Sequence, residues 1–375
     1  MKPPTVQAID TEHSADSVET CPSQPTTVAL GTYQLRKKPG DDGSVENAKP
    51  AARLGRLVLY TASPAGLKET QHVDMPAILD MKWGAAVDPH SAQETLAIAN
   101  SYRNCARRPD DAVPLPRLGQ SAATVRDIER NRAPPSSSRD PDPFLFPRRR
   151  YHTADANVAV SLSTGAVTIL HCTATGATAT TEFAAHDFEA WITAYADPTT
   201  LVTGGDDMLL KLWDTRTDMS SPIVTSRKHE AGVCSAQAHP TKDHILATGS
   251  YDEHVLIWDR RAMRQPVHDV HVGGGAWRIK WHPHDEGRMV MAGMHAGFFV
   301  VDVAAAVGTL PLGIISHPAV TDIGIGRILG ATITHSYTKQ ESLAYGVDWC
   351  LPGGSYVASC SFYDHALHFW SAAIE

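Results

Sequence analysis

Basic side chains are in the minority in this sequence: 33 lysines and arginines stand against 41 aspartates and glutamates, a formal charge of -8. A protein that binds nucleic acid by neutralising phosphates needs the opposite balance, so no nucleic-acid partner is expected and cationic or mixed-charge partners fit better. The six cysteines, Cys21, Cys105, Cys172, Cys234, Cys350 and Cys360, include no C-x-x-C pair. Neither a zinc site nor a disulfide framework is therefore expected, and reduced thiols in a cytoplasmic protein are the plain reading. The first twelve residues have no basic start followed by an apolar core, so no secretory or transit leader is expected. Met289 to Ile315 is apolar but is broken by His295, Asp302, Pro311 and several glycines, which reads as strands and turns and not as a membrane span. There is also no G-x-S-x-G elbow, no H-E-x-x-H pair and no Walker-type loop. Residue chemistry alone therefore predicts an interaction scaffold before it predicts an enzyme.

What the chain does contain is a repeat. Gly204-Gly-Asp-Asp207 leads to Trp213-Asp214, Gly249-Ser-Tyr-Asp252 to Trp258-Asp259, and Ser361-Phe-Tyr-Asp364 to Trp370, the aspartate preceding the tryptophan by six positions each time. That spacing puts the aspartate in a tight turn and, by strand alternation, the tryptophan on a buried face. With a period of about 40 to 45 residues, each unit is one four-stranded blade of a WD-repeat β-propeller. His186 and His229 lie some twenty residues upstream of two of the aspartates, where a histidine bonds into the turn. Weaker copies predict further strands at Asp16 to Cys21, Thr27 to Leu35, Arg56 to Thr61, Ala77 to Trp83, Thr95 to Asn100, Asn157 to Ser163, Ala166 to His171, Trp277 to His282, Arg288 to Gly293 and Gly297 to Val303. In the last of these units His295 takes the place of the turn aspartate. The expectation is an all-β, seven-bladed WD-repeat propeller forming a single domain over residues 1–375, with long surface loops inserted at 37–52, 107–150 and 319–340. Residues near Val6 to Asp10 would close the ring by supplying the outer strand of the last blade.

Several segments go beyond general WD grammar. Thr248 to Trp258, Gly275-Ala-Trp-Arg-Ile-Lys-Trp-His-Pro283 and Cys360 to Trp370 resemble the diphthine methyl ester hydrolase family of WD-repeat proteins. Asp10-Thr-Glu12 with Ala15 to Glu19, Gly31 to Leu35, Ala77 to Trp83, His186 to Trp191 and Tyr345 to Trp349 extend the resemblance to roughly two-thirds of the chain. Two departures stand out: Thr20 occupies a place where relatives tend to carry tryptophan, and Tyr102 to Tyr151 carries no family motif. The resemblance implies hydrolysis of the methyl ester on a modified histidine of elongation factor 2, giving diphthine and methanol during diphthamide biosynthesis. It implies no metal and no organic cofactor, a protein substrate, no membrane partner, and a monomeric, cytoplasmic enzyme. The His282-x-His284 pair repeats the His239-Pro240 turn and reads as a turn before it reads as a ligand set.

The modified side chain carries a trimethylammonium group, which aromatic faces attract. The openings of the innermost strands crowd the mouth of a propeller, and here they hold Trp191, Trp277 and Tyr345, expected to form an aromatic cage with Glu189 or Asp348 adding negative potential. Ester hydrolysis also needs a base for water and a donor for the oxyanion. Arg278 is the expected donor. Glu189, Asp348, His254, His295 and His365 are open as bases, His295 standing out because it has no aspartate-like packing duty. Nucleophilic attack by Cys234, Cys360 or Ser361 stays open as well.

Overall fold

The computed structural model describes residues 2–35, 53–84, 94–100, 123–127, 144–147, 156–173, 176–303 and 331–373. They form seven antiparallel or mixed sheets, numbered here in chain order. Sheet 1 comprises Ser14–Thr20, Thr27–Leu35, Arg53–Ser63 and Gly66–Pro76; sheet 2 comprises Ile78–Gly84, Glu94–Asn100 and Ala123–Asp127. Sheet 3 comprises Phe144–Pro147, Ala156–Ser161, Ala166–Thr173 and Gly176–Ala184; sheet 4 comprises Ala190–Asp197, Thr200–Gly205, Leu210–Asp214 and Val224–Ser226. Sheet 5 comprises Val233–Ala238, Ile245–Ser250, His254–Asp259 and His268–His271; sheet 6 comprises Arg278–Trp281, Arg288–Ala292, Phe298–Asp302 and Thr332–Tyr337. Sheet 7 comprises Ala344–Cys350, Tyr356–Ser361, Ala366–Ser371 and, from the other end of the chain, Thr5–Asp10.

Two expectations need correction. Six sheets have the four-stranded up-and-down order of a blade, not seven. Sheet 2 has only one antiparallel pair, and its third strand, Ala123–Asp127, lies parallel to Glu94–Asn100. The repeat fails there because the sequence after Asn100 offers no Asp-to-Trp hairpin to turn back into the sheet. The second correction concerns 319–340, since its Thr332–Tyr337 portion is the outer strand of sheet 6. There the alternating Thr-Ile-Thr-His-Ser-Tyr suits a strand, and the Tyr337 ring stacks on Trp370 at 4.8 Å. The 37–52 insertion lies outside the described residues, as does most of 107–150 apart from the two short strands within it. No helix of the described residues is long and apolar enough to cross a membrane.

The first strand of each sheet is the innermost, and those of successive sheets are neighbours around a closed circuit. The N-terminal strand closes it as expected, pairing from Thr5 opposite Trp370 to Asp10 opposite Ala366. Two four-residue networks hold the turns of sheets 4 and 5. Trp258 Nε1–H donates to Thr248 Oγ1 (2.8 Å), that hydroxyl bonds His229 Nε2 (2.8 Å), and His229 Nδ1–H donates to Asp252 (2.9 Å). Trp213, Thr203, His186 and Asp207 repeat this at 2.9, 2.8 and 2.8 Å. Burial pushes the Asp252 carboxyl up, but His229 and the N–H groups of Glu230 and His254 more than offset it and hold the carboxyl below the usual range.

A second kind of tryptophan joins sheet to sheet. Trp83, Trp281 and Trp349 occupy matching places on inner strands, and each indole N–H donates to a carbonyl of the preceding or adjoining inner strand: Glu19 (3.2 Å), Gln237 (3.2 Å) and Lys280 (3.1 Å). Thr20 occupies that place in sheet 1, so the junction with sheet 7 is made differently, its backbone N–H donating to Asp348 at 3.0 Å. His239 and His282 add to the same joints. His282 Nδ1 accepts the N–H groups of His284 and Asp285 (3.1 and 2.8 Å), its Nε2 donates to Gly354 O (3.2 Å), and its ring lies 4.6 Å from Trp349. Both ring nitrogens are therefore committed to the turn and the joint.

Candidate functional site

The inner strands do not enter their sheets smoothly. In sheet 4, Ala190 faces Gly205 but Ile192 faces Gly204, which leaves Trp191 unpaired in a β-bulge. The same slip isolates Asp16 in sheet 1, Leu79 in sheet 2, Cys234 in sheet 5, and Tyr345 with Gly346 in sheet 7. In sheet 6 Trp277 takes the equivalent position, one residue before the Arg278–Ala292 pair. A bulge adds a residue to one strand and re-aims its side chain. Of the three aromatics expected at the mouth, Trp191 and Tyr345 are thus bulge residues, and Trp277 stands at the opening of its inner strand.

The structure brings them together. The ring centroids of Trp191 and Trp277 are 6.0 Å apart and those of Trp277 and Tyr345 5.1 Å. The sequence reading missed Tyr251, whose ring lies 5.8 Å from Trp191 and 6.0 Å from Trp277. Tyr251 comes from the turn of sheet 5, its backbone N–H donating to Gly232 O at 3.0 Å. Two glycines make room for it: a Cβ on Gly232 or Gly275 would stand 3.2 or 3.3 Å from the edge of its ring. A signal was available, because Tyr251 aligns with Asp206 of sheet 4, which also overhangs the mouth and accepts the Trp191 indole N–H at 3.1 Å. Beyond Tyr345 the aromatic series continues through Phe362 (5.0 Å) to Tyr33 of sheet 1 (6.0 Å).

Beneath this rim lies a buried ionic layer. Arg278 Nη1 donates to Asp80 Oδ2 at 3.3 Å, and Lys280 Nζ donates to Glu19 (2.6 Å) and to Asp348 (3.2 Å). Lys82 donates to both Glu19 and Asp80. Asp348 also accepts its neighbour's N–H at Trp349 (2.9 Å) as well as that of Thr20. A cavity of about 70 Å³ reaches this layer, lined among others by Glu19, Lys82, Arg278, Lys280, Tyr195 and Gln237. Burial raises the Glu19 carboxyl, but Lys280 and Lys82 outweigh it and bring the group down to about 2. A carboxyl whose folded value is depressed stabilises the fold above its unfolded value near ~4.3, and that contribution disappears as pH falls toward about 2. Melting temperature should therefore drop more steeply in wild type than in Glu19→Gln between about pH 4.5 and pH 2; parallel curves would contradict the ion-pair assignment.

The remaining expected residues are dispersed. Glu189, half-exposed, stands two residues before Trp191 and accepts the Asp206 N–H through its backbone carbonyl (2.9 Å). His295 is exposed on the turn of sheet 6, whose left-handed residue is Met294 (φ 43°), and its ring makes no hydrogen bond or ion pair among the described residues. His254 pairs with Asp269 at 2.5 Å on the outer side of sheet 5, and His365 has φ 53° in the last turn. Burial pushes the thiols of Cys234, Cys350 and Cys360 well up, away from thiolate chemistry. The Ser361 hydroxyl is buried and has no hydrogen-bond partner among the described residues. Arg278 and Asp348 are thus in the buried layer and Trp191, Trp277 and Tyr345 in the rim above it, while Glu189 and His295 stand on turns outside both groups of contacts.

Comparison with known proteins gives consistent results. The family model described as WD domain, G-beta repeat, matches residues 178–214 and 220–259. The chain is 36% identical over 370 residues to the diphthine methyltransferase of Homo sapiens, covering 92% of this chain and 74% of that protein. It is 28% identical to the diphthine methyltransferase homolog of Dictyostelium discoideum, covering 96% of each. Among solved structures, a chain of the crystal structure of the mitotic checkpoint complex superposes with a TM-score of 0.60 over 99% of this chain and 91% of that one, at 14% identity. That likeness bears on the fold alone.

Proposed function

Because the chain belongs to the diphthine methyltransferase family of WD-repeat proteins, we propose that it is a carboxylic ester hydrolase that demethylates methylated diphthine on elongation factor 2, yielding diphthine and methanol in the cytoplasm. The observation that carries this reading is the cluster of aromatic rings at the mouth. The centroids of Trp191, Tyr251 and Trp277 form a triangle with sides of 5.8, 6.0 and 6.0 Å. The corners of such a triangle are about 3.4 Å from its middle, so a cation above it can lie within the ~6 Å reach of three rings at once. Tyr345 extends the wall on the far side of Trp277. A trimethylammonium group held there fixes the ester, which hangs from the same carbon atom.

Water then attacks the ester carbonyl, the acyl C–O bond breaks, and the methoxy group leaves as methanol with the proton taken from water. We assign the oxyanion donor to Arg278, which follows Trp277 in the chain, and the base to Glu189, Asp348 or His295. The substrate is a whole folded factor, met by a single copy of this chain. The reaction is tested in heavy-oxygen water: the esterified factor should lose one methylene unit of mass and gain the label in its new carboxylate. Label in the methanol would mean alkyl cleavage, mass loss without methanol would mean methyl transfer, and no mass loss would leave the chain a scaffold for the diphthamide enzymes.

A further inference from the structure

The cavity of about 70 Å³ lies directly under the aromatic triangle. Its upper lining is Ile192, Ser235 and Arg278, which follow Trp191, Cys234 and Trp277 in the inner strands of sheets 4, 5 and 6. Its lower lining includes Tyr195 and Ala238, four residues beyond Trp191 and Cys234, together with Thr20 and Pro22. Four residues of strand carry it about 13 Å down the axis, at 3.3 Å per residue. Pro22 is exposed and Gln237 and Ala238 are half-buried, so the lower end meets solvent on the face opposite the mouth. The space exists because two sheets have a small residue where others have a large ring. Trp83, Trp281 and Trp349 fill the matching place in sheets 2, 6 and 7, while Thr20 and Ala238 stand there in sheets 1 and 5. Its walls are polar. The Thr20 hydroxyl is buried, and neither it nor Gln237 Oε1 has a hydrogen-bond partner among the described residues. A buried polar atom left unpaired is costly, and water is the smallest occupant that satisfies both. One water needs about 10–15 Å³, so there is room for several.

We propose that this cavity holds and delivers the water that hydrolyses the ester, so that water enters from the far face while the protein substrate covers the mouth. The route rests on ester hydrolysis taking place at the mouth. A folded factor whose modified side chain fills the triangle closes the upper entrance to bulk water. At the level of Arg278, one residue below the rim, a cavity water meets the ester carbonyl from beneath. Its oxygen forms the new bond to the carbonyl carbon, the acyl C–O bond breaks, and the methoxy group leaves as methanol with one proton of that water. The other proton passes to solvent as the carboxylic acid ionises. Each turnover consumes one water, which the solvent-facing lower end replaces.

Thr20→Trp tests the route, because indoles at the matching place already fit sheets 2, 6 and 7. The new ring should displace the cavity waters and lower kcat for methanol release by about tenfold or more. KM, and the affinity for choline, which carries the same trimethylammonium group, should stay within about twofold of wild type. If Thr20→Trp does not fold, Ala238→Leu fills the cavity from sheet 5, and the same changes are expected. A crystal structure of the wild-type chain should show water within hydrogen-bond reach of Thr20 Oγ1 and Gln237 Oε1; an empty cavity overturns the proposal. A kcat and a choline affinity that fall together would assign the effect to a disturbed rim and overturn it as well. Wild type that releases no methanol rejects the hydrolase reading itself, whereas wild-type turnover with undiminished kcat in the filled variant rejects the water route alone.

Discussion

Trp277→Ala is expected to lower kcat/KM for the methyl ester by about 100-fold or more, with a loss of stability too small to account for it. Trp277 is the shared member of the rim, in ring contact with Trp191, Tyr251 and Tyr345 at 6.0, 6.0 and 5.1 Å. Removing it takes away one desolvated cation contact, ~2 kcal/mol, and also the surface against which two other rings are set. A misplacement of the order of 1 Å in a bound ester can itself cost about 10²-fold. The packing loss is the competing effect, since truncating a buried tryptophan costs ~3–5 kcal/mol in a closed core. Here the side chain is 8% exposed at the mouth of the ring, so truncation opens a notch and not a sealed void. Trp277→Phe separates the two effects, because it keeps an aromatic face and should recover most of the activity. A Trp277→Ala enzyme whose lost activity merely equals its unfolded fraction would assign the residue to packing alone.

The parts of this molecule that could be read in the sequence are those in which a side chain's role is set by residues near it in the chain. His229, Asp252 and Trp258 lie within one blade, and the repeat pattern predicted the turn, the histidine that bonds into it and the buried tryptophan, while the Thr248 hydroxyl that links His229 to Trp258 was not foreseen. Trp191, Trp277 and Tyr345 were legible for a similar reason, since each opens an inner strand. What could not be read is what depends on the next sheet. Trp83, Trp281 and Trp349 stood out as motif residues, but a sequence does not say which carbonyl of a neighbouring strand an indole will meet. Tyr251 was missed because its place at the rim follows from the glycines at 232 and 275, contributed by two segments on either side of its own turn. The expected seventh blade failed where its period had already vanished, beyond Asn100.

Asp252→Ala should lower stability by about 3–4 kcal/mol, the largest single effect on folding among these substitutions. Three donors lose their acceptor at once: His229 Nδ1–H (2.9 Å) and the backbone N–H groups of Glu230 (2.9 Å) and His254 (2.9 Å). His229 is fully enclosed, with its other nitrogen already bonded to Thr248. At ~1–3 kcal/mol for each buried unsatisfied group, partly offset where water reaches the exposed Glu230 N–H, the sum falls in that range. For a chain of this size it corresponds to a fall in Tm of roughly 6–12 °C, taking about 2–3 °C per kcal/mol. Its pH dependence has a definite sign. The Asp252 carboxyl is depressed in the folded state, so wild type has the full advantage over the variant at neutral pH and loses it as pH falls through the folded value. Two melting curves, at about pH 7 and about pH 3, check both claims, and an equal gap at both would contradict the charged pair. Tyr251 rides on the same turn, which ties this structural network to the site. At a temperature where Asp252→Ala stays folded, choline affinity should still fall by severalfold, because the ring that completes the triangle has lost the anchor of its own loop.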